Sequence, residues 1–496
     1  MWRAFLEKFR SRAPTPVAAP PLYFFNTLDK EKQLFPLSPH TKSVRMYTCG
    51  PTVYDRQHIG NLSAAVFADT IRRALEYGGY AVKQVINITD FGHLTSDADE
   101  GDDKMAKGLK REKKAFTMEN MLALATKYRD LYLEDIVALN VAVQKISFPR
   151  ASEHVPAQIA MIETLMQKGY AYETSDGVYF ETAQFPEYGK LGGINLEGQK
   201  EGARIETKAE KRGPHDFALW KKNPKLGWES PWGRGFPGWH IECSTMIHSL
   251  LGPQIDIHTG GIEHIPVHHN NEIAQSEAAT GKKPFVRFWM HRAHIQIGGA
   301  KIAKSAGKAF YLSDVLEHGF HPLSLRYLYL GAHYRTPANF SWEALAGAQK
   351  ALARLLALRL SLKGAMGTIA PEWQKKFAER INDDLDTPGA LAVVWEMTKD
   401  ATLSGADLLA TLLDFDRVLG LGLAEPDEAA RTLPAKESPE AIAIESLPPD
   451  IRVLVEEREA ARAELHFDRA DELRRGIADL GYRLQDIPGG VEVFRK

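Results

Sequence analysis

Hydrophobic and polar positions follow two different periods in the first part of the chain. The segments "SVRMYTCG" and "AVKQVINITD" have the pattern of strands, and residues 62–78 between them carry apolar side chains at helical spacing. A strand, a helix and a second strand in this order form the unit that builds parallel sheets. Residues 117–138 and 153–168 also have helical periodicity. The pattern predicts an α/β domain whose first loop faces the ligand side of the sheet.

The stretch from 169 to 236 interrupts this alternation. It is irregular and rich in glycine, proline, lysine and aromatic residues, which predicts an insertion. Strand and helix signals return with a helix near 240–251, a strand at "QIDIHTGG", a helix at 268–279 and a strand at "PFVRFWMHRAHIQI". The sheet is therefore expected to resume after the insertion.

The rest of the chain is predicted to be helical and then to end in a small module. Leucine and alanine recur at helical spacing from 312 to 420, prolines and acidic residues follow, and "DIPGG" lies between short strands near the end. The expected domains are an extension at 1–21, the two halves of the sheet domain at 22–140 and 237–311, the insertion at 141–236, a helical domain at 312–420, a linker at 421–448 and a last module at 449–496.

Composition limits the possible classes of protein. A chain of 496 residues with 44% hydrophobic and 25% charged residues is typical of a globular protein of several domains. The net charge of -2 gives no overall signal, so a nucleic-acid partner would need local basic patches. No apolar run approaches the roughly 18 to 20 residues that cross a bilayer. We expect a cytoplasmic monomer with no membrane segment.

A tetrapeptide at 58–61, "HIGN", has the composition of a phosphate-binding loop. It lies where a strand gives way to a helix, and the backbone N–H groups and dipole of a helix start favour an anion. His58 and Asn61 can donate hydrogen bonds to phosphate oxygens, and Gly60 lets a ligand approach the backbone. Considered alone, such a tetrapeptide is more often an ordinary helix cap with a satisfied histidine.

A second loop, "GGAKIAKSAGK" at 298–308, carries two lysines that are three residues apart. Lys301 and Lys304 have flexible ammonium groups that can reach a triphosphate. Considered alone, this loop is more often a solvated basic turn. The two loops therefore need a wider context before they indicate a nucleotide site.

Cysteine usage points to a metal. Cys49 and Cys243 are the only cysteines, too few for a disulfide framework in a chain of this size. His268 and Glu272 lie four residues apart in "HHNNE" and share one helix face. Two sulfur ligands, one nitrogen and one oxygen make a tetrahedral zinc set, although two core cysteines beside a surface pair would look the same. His269 is also within reach of Glu272, so spacing leaves the histidine open.

The two loops, in this order across an interrupted sheet, resemble the paired nucleotide motifs of class I aminoacyl-tRNA synthetases. From about residue 22 to the end, the chain resembles the cysteinyl-tRNA synthetases. It departs from the family pattern at Asn61, which replaces a histidine, and at Ile302 and Ala303 in the second motif. The segments that carry the resemblance are "MYTCGPTVYD", "INITDFGHLTSDADEGDDK", "DFALWK", "PGWHIECSTM", "HHNNEIAQSEAATG" and "FWMHRAH".

This resemblance implies an enzyme that uses ATP to attach L-cysteine to tRNA(Cys) through a cysteinyl-adenylate. The implied fold is α/β, with a Rossmann-like parallel-sheet catalytic domain, an insertion, an all-helical tRNA-binding domain and a small anticodon-binding module. The resemblance favours His268 over His269 as a ligand of one zinc ion per chain, and magnesium would arrive with ATP. Because zinc prefers thiolate to hydroxyl, it would separate cysteine from serine without an editing domain.

The resemblance also implies roles for individual residues. Glu263 stands where the family usually has aspartate, and Val491 to Phe494 depart from the usual ending of the last module. The implied catalytic residues are His58, Asn61, Lys301 and Lys304; the ATP contacts His58, Gly60, Asn61, Gly260, Gly261, Glu263 and Lys304; the amino-acid contacts Thr89 and Trp239; the metal ligands Cys49, Cys243, His268 and Glu272; and the anticodon contacts Arg462, Phe467, Asp471 and Asp486.

Three points stay open in the sequence. Residues 101–115 hold six basic residues against three acidic ones, which suits either a solvated helix or tRNA phosphates. A mycothiol-type ligase, which joins activated cysteine to an amino-sugar, would use the same catalytic half but lack the last module. A tRNA-binding paralogue without catalysis would fit the altered residues Asn61, Ile302 and Ala303.

Overall fold

The chain divides into two compact units, with the boundary after residue 432. The computed structural model describes residues 21–35, 43–91, 104–193, 210–297, 300–301, 309–362, 367–431, 433, 442–464, 466–487 and 490–495. The predicted amino-terminal extension, apart from residue 21, lies outside these ranges.

The first unit contains most of the described elements. Its strands are β1 (Tyr23–Asn26), β2 (Glu31–Leu34), β3 (Val44–Thr48), β4 (Val82–Ile86), β5 (Ile146–Ser147), β6 (Ala171–Glu173), β7 (Gly177–Phe180), β8 (Phe217–Lys222), β9 (Gly235–Pro237), β10 (Ile255–Gly261), β11 (Val286–Arg292), β12 (Ile295–Ile297), β13 (Ala300–Lys301) and β14 (Ala338–Phe340). Its helices are α1 (Ile59–Tyr77), α2 (Lys104–Arg111), α3 (Met118–Ala138), α4 (Val155–Gln167), α5 (Trp239–Leu251), α6 (His268–Thr280), α7 (Leu312–Glu317), α8 (Pro322–Leu330), α9 (Trp342–Ser361), α10 (Pro371–Asn382), α11 (Thr387–Met397), α12 (Gly405–Leu419) and α13 (Glu428–Arg431).

A five-stranded parallel sheet in the order β11-β10-β3-β4-β5 forms the centre of this unit. The predicted strand-helix-strand unit is β3, α1 and β4, and the predicted α/β class is confirmed. β3 lies in the middle of the sheet, and all its residues except Arg45 are buried. Parallel strands end at the same edge of a sheet, so the loops after β3, β10 and β11 meet there. The candidate site lies at this edge.

The stretch from 169 to 236 is more regular than its sequence suggests. β6, β7, β8 and β9 form a four-stranded antiparallel sheet, so the expectation of an irregular segment was wrong. The strands are short, and every residue of β7 is buried, so no alternation of polar and apolar residues marks it. A β-carbon on Gly177 would lie 2.1 Å from the carbonyl oxygen of Trp220, which explains a glycine inside a strand.

The segment "PFVRFWMHRAHIQI" forms two strands rather than the single predicted one. β11 ends at Arg292, and the backbone N–H of Ala293 then donates to the carbonyl of Tyr334 at 2.8 Å. β12 pairs with β13 and with β14, a strand inside the region predicted to be wholly helical. None of the described helices combines the length and the apolar character that a membrane crossing requires.

Helix α1, which begins inside the "HIGN" motif, is held by buried contacts with α8. Arg326 of α8 reaches Asp69 in the middle of α1 at 2.8 Å, and both side chains are fully buried. Tyr329 donates to the carbonyl of Ile59, the first residue of α1, at 2.6 Å. Burial alone would raise the pKa of Asp69, but Arg326 and Arg73 outweigh burial and hold the pKa at about 2. These contacts fix the helix that presents the motif.

The second unit has the two helices and the strand pair predicted for the last module. They are α14 (Pro449–Ala463), α15 (Phe467–Asp479), β15 (Tyr482–Ile487) and β16 (Gly490–Arg495). The strands pair in antiparallel register, and both helices and the hairpin contribute to one apolar core. That core contains Leu447, Ile451, Val455, Ile477, Leu484, Val491 and Val493.

Candidate active site and metal centre

A cavity of about 790 Å³ opens at the edge where β3, β10 and β11 end. The loop after β3, the start of α1, one face of α2 and the segment after β10 line it. A pocket of this size is in the range that small-molecule substrates occupy. The predicted site residues on its wall are Cys49, His58, Gly60, Asn61, Trp239, Gly261 and Glu263.

One side of the cavity brings together the four predicted metal ligands. The ligand atoms of Cys49, Cys243, His268 and Glu272 all lie within 4.8 Å of one another. A tetrahedral zinc ion has Zn–S bonds of about 2.3 Å and Zn–N bonds of about 2.0 Å. Its ligand atoms therefore lie about 3.3 to 3.8 Å from one another. The carboxylate of Glu272 lies 3.7 Å from Cys49 Sγ and 3.0 Å from His268 Nε2. Both the chemistry of this donor set and its spacing fit a zinc ion.

The sequence explains why these four side chains meet. Cys49 directly follows the central strand β3, and Cys243 lies on α5. His268 and Glu272 lie one turn apart on α6, which packs against α5. Cys243, His268 and Glu272 are almost completely buried, at 1%, 1% and 0% exposure, whereas Cys49 is partly exposed to the cavity. The set therefore has one open side.

Electrostatics within the set favour the charged forms of His268 and Glu272. Burial alone would lower the pKa of His268, but Glu272 and Cys243 outweigh it and raise the pKa to about 10. Burial alone would raise the pKa of Glu272, but His258 and His268 hold it well below the usual range. Burial raises the pKa of Cys49, and its neighbour Cys243 raises it further. A bound dication would replace the protons on these groups.

Further histidines surround the four ligands, and we call all eight residues the metal wall. The rings of His240 and His268 share a hydrogen bond through their Nδ1 atoms at 2.8 Å. His258 Nε2 lies 2.9 Å from the second carboxylate oxygen of Glu272. His269 bonds to Cys49 at 3.2 Å and to His291 at 2.7 Å. The metal wall comprises Cys49, Cys243, His268, Glu272, His240, His258, His269 and His291.

The ambiguity between His268 and His269 has a structural counterpart. Cys49, His258, His269 and Glu272 form a second group whose ligand atoms also lie within 4.8 Å of one another. The two groups share Cys49 and Glu272. Only the first contains both thiols, the ligands that zinc binds most readily among those present. The sequence missed His240, His258 and His291 because nothing local to these histidines marks them as partners.

The "HIGN" motif lines another part of the same cavity. His58 caps α1, and its Nδ1 accepts a hydrogen bond from the backbone N–H of Asn61 at 3.2 Å. The side-chain amide of Asn61 donates to Gln57. The start of α1 thus lies on the cavity wall, with the backbone N–H groups of Ile59, Asn61 and Leu62 already bonded to Phe310 and His58.

The end of β10 also contributes to this side. A β-carbon on Gly260 would lie 2.6 Å from His264 Nδ1, so the position requires glycine. Gly261 and Glu263 line the cavity, and one carboxylate oxygen of Glu263 lies 3.4 Å from His294 Nδ1. We call His58, Asn61, Gly261 and Glu263, together with Arg292, the nucleotide wall.

The second predicted loop falls mostly outside the described residues. Lys304 lies outside them, and Lys301 is described only by its backbone position in β13. The segment directly after the loop contacts the first motif, because the N–H of Ile59 donates to the carbonyl of Phe310 at 2.8 Å. The chain thus returns to the "HIGN" motif where the loop ends.

The two predicted amino-acid contacts have different surroundings. Trp239 lines the cavity, and its ring centroid lies 4.3 Å from that of His268. Thr89 is buried, and its hydroxyl donates to Glu242 at 2.7 Å. Lys104 lies with its Nζ 5.1 Å from the centroid of the Trp239 ring. Trp239 and Lys104 therefore line the cavity, whereas the predicted contact Thr89 does not.

Part of the basic run at 101–115 also lines the cavity. Lys104, Lys107 and Arg111 of α2 face it, and Arg111 forms an ion pair with Asp55 at 2.9 Å. α2 packs closely against the loop that contains Tyr54. A β-carbon on Gly108 would lie 2.7 Å from the carbonyl oxygen of Tyr54, so this contact requires glycine. The composition of the run indicates its positive charge, but it does not indicate which face of α2 lines the cavity.

The predicted anticodon contacts all lie in the second unit. Arg462 is in the last turn of α14, and Asp471 is exposed on α15. Phe467 begins α15 and Asp486 lies in β15, and for both residues only the backbone is described.

Known proteins share both the sequence and the fold of this chain. The family model for the class I (C) tRNA synthetase catalytic domain matches residues 36–350. Cysteine–tRNA ligase 1 of Burkholderia lata is 43% identical over 96% of this chain and 97% of its own length. Cysteine–tRNA ligase of Thermus thermophilus is 39% identical over 95% and 98%. Methionyl-tRNA synthetase of Mycobacterium tuberculosis, solved with methionyl-adenylate, has a TM-score of 0.52 at 15% identity over 79% of this chain and 93% of its own, a similarity of fold alone.

Proposed function

Because the chain belongs to the cysteine–tRNA ligase family of the class I aminoacyl-tRNA synthetases, we propose that it attaches L-cysteine to tRNA(Cys) through a cysteinyl-adenylate. The family predicted from the sequence is thereby confirmed. The observation that carries the proposal is that one cavity joins a thiol-rich donor set to a helix start. Cys49 lies on the first and His58 on the second, so a bound sulfur and a bound phosphate would be neighbours.

The metal wall would select the amino acid. Cys49, Cys243, His268 and Glu272 would hold one zinc ion, and His240 would fix the tautomer of His268 from behind. Zinc bound there would accept the cysteine sulfur as a thiolate and bind the hydroxyl of serine only weakly. Trp239 would close the pocket around a small zwitterion. Discrimination of about 10⁴ then needs no editing domain.

The nucleotide wall would hold ATP with its magnesium. The side chains of His58 and Asn61 and the positive end of the α1 dipole would bind phosphate oxygens, and Lys301 and Lys304 would neutralise the developing charge. Gly261 and Glu263 would meet the ribose, with Gly260 allowing the close approach. In the first step, a carboxylate oxygen of cysteine bonds to the α-phosphorus, and the bond to the β-phosphate breaks with release of pyrophosphate. Positioning and charge stabilisation suffice, so no protein nucleophile is required.

The second step would transfer the cysteinyl group to the terminal ribose of the tRNA and release AMP. We propose that the second unit reads the anticodon through Arg462, Phe467, Asp471 and Asp486, since base edges and faces in single-stranded loops suit such side chains. The protein would act as a monomer in the cytoplasm.

Two assays on the full chain test this proposal. Cysteine-dependent exchange between ATP and pyrophosphate reports the first step, and charging of purified tRNA(Cys) reports the second. We expect both. Exchange without charging would instead indicate a ligase of the mycothiol type, and absence of exchange with retained tRNA binding would indicate a non-catalytic paralogue.

A further inference from the structure

Arg292 brings a positive charge to the nucleotide wall that the steps above do not use. It is the last residue of β11, and its register partner in β10 is Gly261. Successive side chains of a strand point to opposite faces. Its neighbour His291 bonds to His269 in the metal wall, so Arg292 points away from the metal and toward α1 and α8.

Among the residues that the structure describes, no carboxylate lies at ion-pair distance from the guanidinium of Arg292. Across the described ranges of the chain, it makes no hydrogen bond and no ion pair, and the ring centroid of Tyr329 lies 5.7 Å away. Arg326, a fully buried arginine of α8, behaves differently and pairs with Asp69 at 2.8 Å. Burial lowers the pKa of Arg292 to about 10, and the carboxylate of Glu263 offsets this only in part. A half-buried cation without an anion is costly unless a ligand supplies one.

The position of Arg292 limits which anionic group of a ligand could pair with its guanidinium. Under the proposed function, the sulfur and the metal belong to the metal wall, and the outer phosphates belong to the start of α1. Gly261 and Glu263 would meet the ribose. The α-phosphate joins the ribose to the outer phosphates, so it must lie between Gly261 and His58, and Arg292 lines the cavity with both.

We infer that Arg292 binds the α-phosphate of ATP and of the adenylate, an inference that rests on the proposed function. The attack of the cysteine carboxylate adds negative charge to the α-phosphate oxygens while the electrons of the breaking P–O bond leave with pyrophosphate. A guanidinium offers two parallel N–H donors to two such oxygens. Arg292 therefore contributes to nucleotide affinity and to the adenylation rate.

Comparison of AMP with adenosine tests this contact, because the two ligands differ only in the α-phosphate. Isothermal titration of the full chain should show that Arg292→Met weakens AMP about 10- to 100-fold and leaves adenosine unchanged. Arg287→Met is the matched control. Arg287 lies on the same strand, is exposed and makes a long ion pair of 3.5 Å with Asp256. It should change neither affinity. If Arg292→Met does not fold, Arg292→Gln keeps a polar side chain without charge and is expected to give the same result.

Other outcomes would overturn the inference. Equal losses for AMP and adenosine would mean that Arg292 supports the fold or the nucleoside, and unchanged AMP binding would mean that it faces no phosphate. Cysteine-dependent exchange by the unmodified chain is measured alongside. Its absence would refute the proposed function, whereas exchange together with unchanged AMP binding in Arg292→Met would refute only the role of Arg292.

Discussion

The metal wall reaches the cavity through Cys49 alone, whereas every residue of the nucleotide wall lines it, and the two are built in different ways. Every member of the metal wall except Cys49 is buried, and its rings, thiols and carboxylate contact one another. The nucleotide wall relies on a helix start, on Gly261 and on partly exposed side chains. Selection between sulfur and oxygen requires rigid, desolvated groups, whereas a triphosphate can be bound by backbone N–H groups and flexible cations. Substitutions in the two walls should therefore differ in both size and kind.

The largest effect is expected for Cys243→Ser. Replacing a thiolate ligand by a hydroxyl removes a strong donor from a buried set, so zinc content should fall far below one per chain. Residues that only support metal ligands typically cost about 10- to 100-fold in activity when they are replaced. The loss of cysteine-dependent exchange in Cys243→Ser should be larger than that. Metal analysis and exchange kinetics on the purified variant check both. Thr245→Ala, buried on the same helix, is the control and should keep its zinc. Equal zinc in Cys243→Ser and the unmodified chain would refute the ligand assignment.

The next largest effect, on the stability of the fold, is expected from the buried ion pair between Asp69 of α1 and Arg326 of α8. Asp69→Asn leaves Arg326 buried without a full counter-charge, and breaking such a pair typically costs about 3 to 5 kcal/mol of unfolding free energy. Chemical denaturation measures this loss, and the exposed Asp130→Asn should change stability by less than about 0.5 kcal/mol.

The same carboxylate predicts an acid-dependent loss of stability. Its pKa is about 2 in the folded chain, below the unfolded value of about 3.9. A lowered pKa stabilises the fold at pH values above the unfolded pKa, and this contribution is lost as the pH falls from about 4 to about 2. Asp69→Asn should therefore have a flatter stability profile across that window. An unchanged profile would mean that Asp69 is not ionised in the fold.

Histidine variants should show which of the two candidate ligand groups binds zinc. The expected differences in zinc affinity are smaller than the effect of Cys243→Ser. His268→Gln is expected to lose zinc, whereas His258→Gln and His240→Gln should keep it with affinity reduced about 10- to 100-fold. Zinc titration against a competing chelator measures all three. The reverse order, with His258→Gln losing the metal and His268→Gln keeping it, would instead favour the group of Cys49, His258, His269 and Glu272.

The smallest effect is expected for Glu263→Gln. The side chain is 40% exposed, so its hydrogen bond to a ribose competes with water. The KM for ATP in the exchange assay should rise a few-fold at most, and the KM for cysteine should stay constant. A matching rise in the KM for cysteine would mean that the two walls are not independent.

Local signals in the sequence predicted the parallel sheet, whereas the residues of the two walls were proposed mainly from the family resemblance. Periodicity located β3, α1 and β4, and the i, i+4 spacing in α6 brought His268 and Glu272 together. The partners behind these ligands depend on contacts between distant segments. His240 meets His268 across two packed helices, and His258 meets Glu272 from the neighbouring strand β10.

Two further features were hidden for physical reasons. The antiparallel sheet between 169 and 236 has short, buried strands, so it lacks the alternation that marks a half-exposed strand. Arg292 lies inside a segment that resembles the family, and its lack of a counter-ion in the described part of the chain emerges only when α1 and α8 are in place.

The most direct test of the zinc-based selection is the ratio of kcat/KM for cysteine to that for serine in ATP–pyrophosphate exchange. The two substrates differ only in sulfur against oxygen, so the ratio measures what the metal wall contributes. A ratio of about 10⁴ or more is expected, because shape alone separates such similar side chains by only about 10². A ratio near 10², with full activity toward cysteine, would contradict selection of the thiolate by a metal.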